Sequence, residues 1–128
     1  MISEIKYVTN PSVLTLYDQN MINELRVIYE EIREQAKTLK LVDKEFRNIM
    51  VKSTKYKKPI VPENYFVNYK YDPYCNYAHY IITKTDYLNK IIDTVKKYYP
   101  EDTSLENIID LGVVIIASMI RNKMSNNK

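Results

Sequence analysis

The chain has 128 residues, 45% of them hydrophobic and 27% charged, and a formal net charge of +3. That length leaves room for one domain with a modest core, because chains of this size bury roughly two-thirds of the surface they expose when unfolded. The apolar content excludes an intrinsically disordered chain, and a single Gly and a single Cys exclude phosphate-cradling glycine loops and disulfide scaffolds.

The expected fold is mainly α: a helical bundle of about four helices with a small Tyr-rich β-hairpin in the middle of the chain. Residues 1–128 are read as one domain. The amino terminus carries acidic and polar residues where a secretory signal needs a continuous apolar core, so the cytosol is the expected compartment. Fifteen Lys against four Arg, with abundant Asn, Ile and Tyr, is the bias of an AT-rich genome such as that of a virus, a phage or a low-GC microbe.

Residues 1–17 form an N-terminal segment in which Ile5, Tyr7 and Thr9 alternate weakly, as a short strand would, before Asn10-Pro11 marks a turn or a helix start. Residues 18–50 are helical. Asp18 or Asn20 serves as N-cap, and Met21, Leu25, Ile28, Ile32, Ala36 and Leu39 recur on one face. At heptad spacing the series Leu25, Ile28, Ile32, Gln35, Leu39, Val42, Phe46 and Ile49 could extend to residue 50, either packing in the chain's own core or forming a dimer seam. Asp43 could equally cap a second helix, and a buried Gln35 would cost stability.

Residues 51–63 are a basic, Pro-containing connection, with Lys52, Lys55, Lys57, Lys58, Pro59 and Pro62. In 64–83, Tyr65, Val67, Tyr69 and Tyr71 alternate onto one strand face, and residues 77–83 are a second run rich in aromatic and β-branched side chains. With Asp72-Pro73 as the turn this is a β-hairpin. The rival reading is a helix capped by Asn76.

Residues 85–123 hold two helices. Thr85 or Asp86 caps the first, whose apolar face is Leu88, Ile91, Ile92, Val95, Tyr98 and Tyr99 and which Pro100 ends. Thr103 to Glu106 has capping-box spacing and starts the second at about 104. Its apolar residues, from Ile108 to Ile120, cover nearly the whole circumference, so it is either central or shared with another chain. Gly112, inside this helix, costs about 1 kcal/mol relative to Ala, which suggests a close approach there. The run Leu111 to Ile120 is half the ~20 residues a membrane span needs. Residues 124–128 are a frayed tail.

His79 is the only imidazole and Cys75 the only thiol. On a helix the two share a face, close enough for a metal or a thiolate pair; on a strand they lie about 13 Å apart. A zinc site would need two more ligands, and only carboxylates are on offer. Asp43, Glu45, Asp86, Asp93, Glu101, Asp102, Glu106 and Asp110 are read as caps and solvated faces. No cofactor, metal site, catalytic set or small-molecule substrate is expected.

Charge is uneven along the chain. Residues 1–50 carry 7 basic and 8 acidic side chains, 51–71 carry 5 and 1, and 72–128 carry 7 and 7. Lysines neutralise phosphates and tyrosines stack on bases, so Lys52, Lys55, Tyr56, Lys57, Lys58, Tyr65, Tyr69, Lys70 and Tyr71 are the candidate nucleic-acid contacts within 52–80. A helix over 43–51 followed by a hairpin at 65–83 resembles part of a winged-helix DNA-binding domain in element order, without a recognition helix carrying base-reading side chains. The stretch from Ile91 to Ile120, a helix ending in Tyr-Tyr-Pro and then a capped, very apolar helix, resembles the central helices of viral Bcl-2-like proteins over a quarter of the chain. It lacks the helices that should follow, and no function is carried over.

The first functional expectation is a non-enzymatic, cytoplasmic interaction or regulatory protein that self-associates and binds a protein partner without engaging a membrane. Its candidate interface residues are Leu25, Ile28, Ile32, Leu39, Gly112, Ile116, Met119 and Ile120. The alternative is a nucleic-acid-binding protein using the Lys/Tyr segment.

Overall fold

The structure is a computed structural model that describes residues 14–39, 72–101 and 104–126, the side chains of 124–126 excepted. These residues form four helices: α1 (Gln19–Thr38), α2 (Pro73–Lys84), α3 (Leu88–Tyr98) and α4 (Leu105–Asn126). The expected strand at the amino terminus, the Lys/Tyr connection and the heptad continuation through Val42, Phe46 and Ile49 lie outside the described residues.

Asp18 starts α1, its carboxylate accepting from the Asn20 N–H at 2.8 Å, as a short acceptor at the N-cap should. Met21, Ile22, Leu25, Ile28, Tyr29, Ile32 and Ala36 are buried, a stripe at helical pitch facing the core. Leu39 is 52% exposed, and Gln35, expected to be buried, is exposed, with its amide donating to the Tyr87 hydroxyl at 3.4 Å. The core face turns away from Gln35 because an α-helix drifts off a strict heptad.

The expected hairpin does not form where its second strand was placed, because residues 77–83 lie inside α2. Asp72-Pro73 is not a hairpin turn but a helix start: the Asp72 carboxylate accepts from the Tyr74 and Cys75 N–H groups at 2.8 and 3.2 Å, and Pro73 occupies the first helical turn. That position lacks an intrahelical partner for its N–H anyway, so Pro costs nothing there. Asp72, not Asn76, is the cap. Cys75, Ala78, Ile81 and Ile82 are buried, and their helical spacing overrides the β-propensity of the tyrosines and isoleucines. Without a strand at 77–83 the winged-helix comparison loses half of its wing.

Neither Thr85 nor Asp86 caps α3. The Thr85 hydroxyl instead donates back to the Ile81 carbonyl, and Asp86 takes a left-handed backbone, with φ of 64°. The Tyr87 N–H reaches the Ile82 carbonyl at 2.9 Å and the Asp86 N–H the Thr83 carbonyl at 3.3 Å, the pair of bonds that closes a helix with a Schellman turn. Tyr87 then leads into α3 with no side-chain cap bond.

Three side chains of α1 lace it to α3. Glu24 accepts from Lys97 and from the Tyr98 hydroxyl, Glu31 pairs with Lys90 at 3.9 Å, and Gln35 meets Tyr87. Residue numbers rise along α1 as they fall along α3, so the two helices run antiparallel. Tyr17, just before α1, meets Tyr99 edge to face with ring centroids 6.5 Å apart.

Helix α4 is the central element, against which α1, α2 and α3 all pack. Every residue from Leu111 to Ile120 is buried. The Ser104 hydroxyl accepts from the Asn107 N–H at 3.2 Å and so caps the helix, while Thr103 of the expected capping box lies outside the described residues. The helix continues to Asn126, into the tail expected to fray.

Gly112 is the position where α3 comes closest. A Cβ there would overlap Ile91 Cγ2 and stand 3.6 Å from Val95 Cγ2. Gly112→Ala gains about 1 kcal/mol of helix propensity but forces a methyl into a filled site, which costs about 1–3 kcal/mol. We expect a net loss of about 1 kcal/mol, seen as a lower Tm. In an Ile91→Ala background, where Cγ2 is gone, the same change becomes neutral or stabilising; a double-mutant cycle without that coupling contradicts the packing described.

Candidate functional site

The nucleic-acid candidates Lys52, Lys55, Tyr56, Lys57, Lys58, Tyr65, Tyr69, Lys70 and Tyr71 all lie outside the described residues. At the end of that segment Tyr77 is buried and Tyr80 half-buried on α2, with Lys84 Nζ 5.6 Å from the Tyr80 ring centre. The interface candidates fall differently. Leu25, Ile28, Ile32, Ile116, Met119 and Ile120 belong to the buried core, as Gly112 is buried, and only Leu39 is exposed. In a single chain, therefore, only the Leu39 end of this seam is open to a second copy.

Cys75 and His79 are four residues apart on α2, so they share one of its faces, as the helical alternative required. Both are buried, His79 to 3% exposure, in a region that also holds Asn76. Asp110 of α4, read from the sequence as a solvated carboxylate, is 1% exposed. The Asn76 amide donates to the Asp72 carbonyl at 3.1 Å. Burial pushes the Cys75 thiol well above its ordinary pKa, and the negative fields of Asp72 and Asp110 push the same way. Burial also pushes the His79 imidazole down, to about 4.

Those directions oppose nucleophilic activation. A thiolate–imidazolium pair needs the thiol lowered and the imidazole raised, whereas here both groups are held neutral. Among the described residues no three His, Cys, Asp or Glu side chains converge as a metal site. Asp110 of α4 is close enough for its field to act on Cys75 of α2, where these two helices pack together.

A second feature was not found by sequence reasoning. Arg26, Tyr29 and Glu30 of α1 and Met119, Asn122 and Lys123 of α4 line an open cleft of about 210 Å³. Tyr29 and Met119 are buried, with exposures of 6% and 4%, and the polar side chains stand around them. Burial raises the Tyr29 phenol to about 12, where the neighbouring Arg33 cation pulls it down and Glu30 adds a little upward. Arg33 Nη1 pairs with Glu30 at 3.2 Å, and its guanidinium carbon lies 5.9 Å from the Tyr29 ring centre. No pattern within either helix marks this cleft, because its two walls are separated by most of the chain.

At the α1–α3 seam the Glu24 carboxylate is held below its ordinary pKa by hydrogen bonds from Lys97 and Tyr98. The reciprocal bond to Glu24 raises Tyr98 to about 12. No helix among the described residues is long and apolar enough to cross a membrane.

No protein-family model, curated protein or solved structure matches the chain.

Burial of neutral His79 links stability to pH. The unfolded imidazole binds a proton near pH 6.5 and the folded one near 4, so in that window the unfolded state holds more protons and stability rises with pH. The contribution is complete above about 6.5, declines as pH falls and is gone below about 4, a loss on the order of 3 kcal/mol. Because His79 is the only His, urea midpoints should fall from pH 7 to pH 5, and the slope should flatten in His79→Gln. An equally steep profile in that variant would assign the effect elsewhere.

The same burial makes Cys75 inert. With no thiolate and no access, an aromatic disulfide reagent should leave the native thiol unlabelled and react fully in urea, with labelling tracking the unfolded fraction. Rapid reaction under native conditions contradicts this.

Proposed function

We propose that the chain is a non-enzymatic interaction module: a helical scaffold that engages a protein partner, including a second copy of itself, and acts through binding rather than turnover. The observation that carries the reading is the state of Cys75 and His79. The chain's only thiol and only imidazole are buried and held neutral, so the most versatile catalytic groups serve packing. The interaction surface is then the outer side of the bundle. There α1 exposes Arg26, Val27, Glu30, Glu31 and Glu34, and Leu39 is exposed just past its end.

Light scattering on the size-exclusion eluate, with quantitative affinity capture using the purified chain as bait, tests this reading. The expected result is a dimer or a partner retained in fixed stoichiometry. A monomer at all concentrations that retains nothing overturns it.

A second reading, nucleic-acid binding, is favoured by the concentration of positive charge, with 5 basic and 1 acidic side chains in residues 51–71. It predicts a gel shift at low salt that weakens as salt rises, and weakens again when Lys52, Lys55, Lys57 and Lys58 become Ala. No shift with DNA or RNA at low salt eliminates it.

A further inference from the structure

We propose that the cleft between α1 and the end of α4 binds a carboxylate side chain presented by an acidic segment of a partner protein, an inference that rests on reading the chain as a protein-binding module.

The argument starts from how the cations are engaged. Arg33, Lys37, Lys84, Lys90, Lys97 and Arg121 each have a carboxylate or a tyrosine ring of the chain beside them. Arg26, Lys96 and Lys123 have no such partner among the described residues. Two of these three line one cleft, with the Asn122 amide alongside. Glu30 also lines the cleft, its carboxylate paired with Arg33, so the lining of two cations and one anion keeps a positive balance.

Beneath these donors lies Tyr29, 6% exposed, whose hydroxyl has no hydrogen-bond partner among the described residues. Its oxygen is not one of the enclosed side-chain atoms that lack a partner, so it opens on the cleft, where water serves it until the acceptor of a ligand takes that water's place. A carboxylate supplies it: one oxygen for Tyr29, the rest of its acceptor capacity for the guanidinium, the ammonium and the amide.

Size and chemistry narrow the ligand. A cleft of about 210 Å³ is below the ~300–1,000 Å³ of sites for drug-sized ligands, so it suits a single side chain. Met119 and the Tyr29 ring offer apolar surface to the methylenes of Glu, which inorganic phosphate lacks. Lys123 sits in the last turn of α4, where the helix dipole is negative and opposes an anion. Arg26, in the middle of α1, therefore supplies the less compromised charge.

Anisotropy titrations of the full chain with a labelled, end-blocked oligoglutamate peptide test the inference, against an oligoglutamine control and with inorganic phosphate as competitor. The expected result is binding of the acidic peptide only, weakened about tenfold by Arg26→Gln and by Lys123→Gln, and weakened by Tyr29→Phe. Lys96→Gln, which removes the same charge elsewhere, should leave affinity unchanged. Thermal melts of each variant separate loss of binding from loss of fold. No binding, or equal loss in Lys96→Gln, overturns the cleft assignment. Displacement by phosphate at concentrations where glutamate-bearing peptide binds shows a site for bare anions and overturns the partner segment. A failed cleft with partner capture intact sinks this inference alone; peptide binding by a monomer that captures nothing sinks the module reading and leaves the carboxylate site.

Discussion

A helix apolar around its whole circumference has to be surrounded, and the arrangement of the described residues follows from that requirement. From Leu111 to Ile120 no face of α4 is available to water. Each large aliphatic side chain so placed is worth roughly 1.5–3 kcal/mol relative to exposure, more than the ~0–1 kcal/mol of an exposed ion pair. The other three helices need only one apolar stripe apiece, and all three are docked on α4. Gly112 refines the fit by letting Ile91 sit against the backbone where a methyl would otherwise stand.

The tyrosines among the described residues divide between two jobs. Tyr29, Tyr77 and Tyr87 are buried in the core, whereas Tyr17, Tyr74, Tyr80, Tyr98 and Tyr99 lie at its margin. Cations settle over several of the rings, Lys90 over Tyr87 at 5.1 Å and Arg121 over Tyr74 at 5.5 Å among them. Such contacts at exposed sites are worth about 0.5–1 kcal/mol, and exposed ion pairs about as little. Their effect is on register. Glu24, Glu31 and Gln35 meet Lys97, Lys90 and Tyr87 in order, which fixes how α1 slides along α3 while the buried stripe supplies the energy.

Helical pitch made α1 and α3 legible, because Met21 to Ala36 and Leu88 to Val95 repeat at the right spacing, with Asp18 and Pro100 as punctuation, whereas α4 was legible from its near-continuous apolar run, Ile108 to Ile120. Segment 72–84 was harder. Its tyrosines and isoleucines favour strand, and Asp-Pro suits a turn as well as an N-cap; only the partner surface of α4 decides between them. Thr85 and Asp86 are equally ambiguous, since a hydroxyl and a short carboxylate serve either end of a helix. For the candidate site, the shared face of Cys75 and His79 depended on that undecided helix. Burial of Asp110, and the cleft joining Arg26 to Lys123, depend on how distant segments meet, which periodicity within one segment does not encode.

Helices α2, α3 and α4 follow one another from residue 72 to 126 through short connections, and the α2–α3 corner is closed by its own backbone hydrogen bonds. The hydrogen bonds that tie α1 to α3 close loops of 52 to 74 residues. Loop-closure entropy must be paid before such distant contacts reward it. The carboxy-terminal three helices therefore hold the contacts that are cheapest in chain entropy, and the amino-terminal helix joins them only through contacts that constrain a far longer stretch of chain.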